Sequence, residues 1–129
     1  MEKKTSTLDV LLRSGLPDMR KELPVKTVEL PRLSALAGEP VVFTLRGLTY
    51  REVRRLQEHR EDRSAYAVLY GCTNPSWKDP RLLEPEKGLA TPVDVIQAKL
   101  LPGEIEDLFV EIQLLSGYLR RTISDVKNA

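Results

Sequence analysis

The nine residues Ser64-Ala-Tyr-Ala-Val-Leu-Tyr-Gly-Cys72 carry apolar side chains around nearly the whole circumference of a helix. A helix without a polar face must be packed on several sides, so this segment is the expected centre of a core and the rest of the chain its wrapping. At 129 residues the chain is long enough for one such core and too short to make two ordinary domains the natural reading. Aromatic residues are only 5% of the total, so aliphatic side chains must fill most of the interior.

The segments that follow have the marks of short, well-started helices. Asp79-Pro80 sets a cap before a proline and opens a brief turn through Leu82 and Leu83, which Pro85 interrupts. Thr91-Pro92 repeats the arrangement with Asp94 three residues after the cap, and puts Val93, Ile96 and Leu100 on one side. That helix ends by Leu101, because a residue before proline avoids the α region. Pro102-Gly-Glu then begins the longest pattern, with Ile105, Leu108, Phe109, Ile112 and Leu115 at helical spacing and Glu104, Glu106 and Asp107 suited to the positive end of the dipole. Beyond Gly117, Leu119, Ile123 and Val126 fall at i, i+4 and i+7, the spacing of a helical extension.

The N-terminal half mixes strand and helix signals. Ser6 to Gly15 predicts a short helix capped by Ser6, with Leu8, Leu11 and Leu12 as its apolar residues, and Leu16 to Pro24 reads as a linker. Val25 to Leu30 and Val41 to Arg46 are the strand candidates, with Val28 and Leu30 on one face of the first and Val41, Phe43 and Leu45 on one face of the second. An antiparallel pair is expected, joined through a helical turn capped by Ser34, closed by Gly38 and turning Leu33 and Leu36 inward. Thr49-Tyr-Arg-Glu52 has the capping-box pattern. The helix it opens, read as reaching Glu61, carries a narrow stripe of Tyr50, Val53 and Leu56.

The fold class that emerges is mainly α with a small antiparallel β-hairpin, an α+β chain. Residues 1–24 form an N-terminal short helix and linker, residues 25–117 the hairpin and helical core domain, and residues 118–129 a C-terminal tail or helical extension.

Composition narrows the chemistry. Twenty basic and nineteen acidic residues leave a formal charge of +1, so no global field draws the chain to nucleic acid or a membrane. The arginine-bearing run from Arg46 to Arg63 is interleaved with Glu52, Glu58, Glu61 and Asp62, which offset it. Met1-Glu-Lys-Lys4 is a charged start with no signal-peptide core after it, and a cytoplasmic location is expected. Cys72 and His59 are the sole cysteine and histidine. A buried structural thiol and a solvent-facing imidazole fit them better than a nucleophile and its base, and they provide no metal-ligand pair. Gly38, Gly47 and Gly88 are isolated turn glycines without the Lys and Ser/Thr of a phosphate loop. No catalytic residue, cofactor or metal is expected. The terminal apolar residues Leu8, Leu11, Leu12, Leu119, Ile123 and Val126 are the candidate partner-binding set, because amphipathic segments outside a core are available for docking. The exposed face of the Thr49 to Glu61 helix is a further candidate.

Several stretches, in order, resemble the XkdN-like tail assembly chaperones of phages and defective prophages. They are Ser6-Thr-Leu-Asp-Val-Leu-Leu12; Arg32-Leu-Ser-Ala-Leu-Ala-Gly-Glu-Pro40 running into Val41-Val-Phe-Thr-Leu-Arg-Gly-Leu-Thr49; Gly88-Leu-Ala-Thr-Pro92; Lys99-Leu-Leu-Pro-Gly-Glu-Ile105; and Ile112-Gln-Leu-Leu-Ser-Gly117. The likeness spans roughly residues 5–118 and lies in the order and spacing of these words. The resemblance implies a non-enzymatic protein of the host cytoplasm, absent from the mature virion. It implies the tape-measure protein as partner, with the tail-tube protein as a second candidate partner and self-association left open. A structural tail or connector subunit, and a small nucleic-acid-binding regulator, are the competing readings.

Overall fold

Hydrogen bonding in the middle of the chain goes into a three-stranded antiparallel sheet in the order β1-β2-β3, with β1 at Val25–Glu29, β2 at Val42–Arg46 and β3 at Cys72–Asn74. The structure, a computed structural model, describes residues 6–126. The charged start Met1 to Lys4 lies outside them. Val28 pairs with Phe43 and Lys26 with Leu45, which sets the expected alternation: Phe43 and Leu45 turn into the core and Val28 packs at its margin.

The third strand goes beyond the expected hairpin. Cys72 ends the apolar segment and pairs with Leu45, while Thr44 pairs with Asn74 across a register shift. After β3 a cis Asn74-Pro75 bond leads to Trp77, which is buried edge-on against Phe43 with ring centroids 5.8 Å apart.

The described residues also form six α-helices, of which α4 and α6 pack most on the strands: α1 at Thr7–Leu12, α2 at Pro31–Ala37, α3 at Tyr50–Leu56, α4 at Arg63–Gly71, α5 at Pro92–Lys99 and α6 at Pro102–Leu115. The all-apolar segment is α4, which buries Ala65, Ala67, Val68 and Gly71 and packs on α3, α5 and α6. Contact with α6 is so close at Gly71 that a Cβ there would lie 2.8 Å from Ile112 Cδ1. The fully buried side chains Leu45, Val68, Val95, Ile96 and Ile112 come from β2, α4, α5 and α6, so one core joins sheet and helices.

Local capping follows the residue patterns closely. Ser6, Thr49, Thr91 and Asp79 each accept a backbone N–H near a helix start, and Glu52 and Asp94 complete reciprocal boxes. Three details differ from the expectations. Helix α2 begins at Pro31 after Leu30, not at Ser34, because proline is preorganised for the first helical position. Ser34 Oγ instead accepts the Val41 N–H at 2.8 Å and so ties α2 to the entry of β2. Leu36 is 76% exposed rather than inward-facing, since Leu33 alone takes the inner position on so short a helix. Helix α3 ends at Leu56, where tight turn bonds from Gln57, Glu58 and His59 replace the α pattern.

Past α6 the chain does not continue as helix. Gly117 has φ of 90° and Leu119 has φ of 63°, and both left-handed residues turn the backbone out of the helical path. Residues 118–126 contain no helix, so the i, i+4, i+7 spacing of Leu119, Ile123 and Val126 does not form a helical stripe there.

Candidate partner-binding surface

Two ion pairs and one serine hold the outer helices in place. Arg46 at the end of β2 donates to both carboxylate oxygens of Glu52 on α3, at 2.8 and 2.7 Å. Burial alone would raise the Glu52 carboxyl, but the Arg46 guanidinium and the Thr49 amide outweigh it and hold it below the usual range. Arg32 on α2 grips Glu104 on α6 and also donates to the Lys99 carbonyl. The Glu104 carboxyl is lowered chiefly by that guanidinium. Ser116 accepts the Leu48 N–H at 2.8 Å while donating to the Ile112 carbonyl at 2.7 Å, so the exit of β2 is bonded to the end of α6. Gly47 allows this approach: a Cβ there would lie 2.7 Å from the Leu115 carbonyl oxygen.

The result is a cleft between α3 and the C-terminal half of α6. Its floor is Leu48, Val53, Leu56 and Phe109, and Tyr118 closes one side. A hollow of ≈ 250 Å³ there adjoins a second of ≈ 350 Å³, with Leu48, Val53, Ser116 and Tyr118 common to both. The second extends to Met19 and Leu23 of the linker. Tyr50, read from the sequence as part of the α3 stripe, is 77% exposed and stands at the rim, because it occupies the first helical position beyond the edge of the packed face.

None of the six terminal residues lines this cleft, though Leu119 lies between Tyr118 and Arg120, which do. Leu8, Leu11 and Leu12 are exposed on α1, which buries nothing and packs extensively against no other element. Leu119, Ile123 and Val126 are exposed along the tail, and the two sets are not brought together into one surface with the cleft. Spacing along the sequence does not reveal the cleft, whose residues come from the β2–α3 turn, α3, α6 and the tail. Helical spacing groups Phe109 with Ile105, Leu108, Ile112 and Leu115, and only the packing of α6 shows that it lines the cleft.

The two groups weighed for nucleophilic chemistry are placed in structural roles. Cys72 is buried, its thiol contacts the Asn74 carbonyl at 3.4 Å, and burial pushes its pKa up to about 11. The Trp77 indole opposes that shift more weakly, and among the described residues its buried Nε1 has no hydrogen-bond partner. His59 is not simply solvent-facing. Its ring stacks on Tyr66 at a centroid separation of 3.5 Å. Among the described residues no cluster of three or more His, Cys, Asp or Glu could hold a metal ion, and no helix is long and apolar enough to cross a membrane.

A family model described as phage XkdN-like tail assembly chaperone protein matches residues 60–129, just over half of the chain. No curated protein and no solved structure matches it.

Proposed function

Since the chain belongs to the phage XkdN-like tail assembly chaperone family, we propose that it binds the tape-measure protein, keeps it soluble, and yields it to tail-tube subunits as they assemble. The observation that carries this reading is the contrast between a closed aliphatic core and the apolar residues left outside it. Leu8, Leu11, Leu12, Ile123 and Val126 are each more than 60% exposed, and the cleft beside α3 is open. Apolar surface of this kind covers a client's hydrophobic stripe reversibly, and many weakly bound copies along a long client act together. The six terminal residues and the cleft are the proposed contacts. The activity needs no covalent step, and the protein is expected to work in the host cytoplasm and leave before the virion matures.

Co-expression tests it. The tape-measure protein encoded with this chain is expected to gain soluble yield and to co-purify with it; neither gain nor co-purification would remove the proposal. Mass spectrometry of purified virions supplies the second arm, because abundant retention of this chain in mature particles would mean a structural tail subunit.

A further inference from the structure

We infer that the cleft between α3 and the end of α6 receives an amphipathic helical segment of a partner protein whose apolar stripe is flanked by carboxylates. This rests on the chaperone reading and specifies which clients the cleft accepts.

The cleft has the form for a helix. Its floor is aliphatic and aromatic, and its walls are two helices, the arrangement that takes apolar anchors at i, i+3, i+4 and i+7. The charged side chains that line it are of one sign, while Glu58 stands among Arg51, Arg54 and Arg55 in a hollow that shares Gln57 and Tyr50 with it. Among the described residues no carboxylate lines either adjoining hollow, whereas Arg63 lines the first and Arg120 the second. A third hollow, reached past Tyr50, adds Lys21 and Arg51. Arg20, also at that hollow, is paired with Asp18, but Lys21, Arg51, Arg63 and Arg120 make no ion pair among the described residues. With a formal charge of only +1 on the whole chain, this cationic rim is local segregation rather than an excess of basic residues.

That rim selects among occupants. Phosphate binding alone would not call for an apolar floor, which argues for a protein segment over nucleic acid. The tail of a second copy matches poorly, because Arg120 beside Leu119 has the same sign as the rim and Arg121 is already paired with Asp125, and α1 of a second copy offers one carboxylate, Asp9, rather than a flanking set. Carboxylates flanking a leucine stripe satisfy both floor and rim.

The test uses the full chain and two designed helical peptides with the same leucine stripe, one flanked by glutamates and the other by lysines. Amide shifts of the isotope-labelled protein should map the glutamate peptide to Val53, Phe109 and Tyr118. Its affinity should exceed that of the lysine peptide by about tenfold at low salt and decline as salt rises. The doubly exposed variant R51E/R120E, with its helical signal unchanged, should lose or reverse that preference. Equal affinities, shifts confined to α1 or the tail, or displacement of the glutamate peptide by duplex DNA or by a dimer of the chain would each overturn the inference. Equal affinities together with a preserved gain in tape-measure solubility would sink this inference and leave the chaperone reading standing. Selective peptide binding without that gain would do the reverse.

Discussion

Helices α1 and α3 begin alike and end in different circumstances. Each is short, six and seven residues, and each has a hydroxyl cap, Ser6 or Thr49, accepting the amide three residues on. Each carries aliphatic side chains at helical spacing. Yet α3 buries Leu56 and is clamped to β2 through Arg46 and Glu52, whereas α1 buries no residue. Capping makes a helix start well, but helices this short draw their stability from packing. The difference therefore comes from what surrounds each helix: α3 follows β2 after three residues and lies against α4, while a twelve-residue stretch separates α1 from β1.

Truncation should break the likeness most sharply. Leu56→Ala is expected to cost about 3 kcal/mol of unfolding free energy, and Leu11→Ala below about 0.5 kcal/mol, in urea titrations followed by circular dichroism. Comparable losses at the two positions would mean that α1 packs against the body in solution. Next comes the junction that seats α3: Gly47→Ala forces a methyl group against the Leu115 carbonyl and should cost about 2 kcal/mol. Gly15→Ala, with open space around its Cβ, should be close to neutral.

Acid should separate the two helices as well. The carboxyls of Glu52 and Glu104 are depressed in the folded chain, so their contribution is fully present above the unfolded glutamate range and is lost as pH falls through their lower folded values. Thermal melts from pH 7 down to pH 3 should show a falling midpoint, and Glu52→Gln should be less stable at pH 7 by about 1–2 kcal/mol yet lose less on acidification. An identical pH slope in the variant would remove Glu52 from the account. The smallest effect is at the caps. Thr49→Ala should cost about 1 kcal/mol of global stability, and Ser6→Ala should leave the global transition unmoved while speeding hydrogen exchange within α1.

What the sequence disclosed and what it hid divide along the same line. Capping boxes at Thr49 and Thr91, prolines opening α5 and α6, and alternation in β1 and β2 are local, and they appear in the structure nearly residue for residue. The third strand stayed hidden because Cys72 to Asn74 is only three residues long and becomes a strand through its pairing with Thr44 and Leu45. Leu36, expected to face inward, and Tyr50, placed on the α3 stripe, are both exposed, because helical spacing says which residues share a face but not whether another element arrives to cover it. The cleft was invisible for the same reason, since Val53 and Phe109 meet across more than fifty residues of chain.

The lone tryptophan has a use of its own. Trp77 is 5% exposed beside Phe43 and takes no part in lining the α3–α6 cleft. Its emission therefore serves as a built-in gauge of the sheet-side interior, blue-shifted while that interior is dry and red-shifted once water enters. Occupation of the cleft is expected to leave that colour alone, so that one optical channel follows melting while ligand titrations proceed on another.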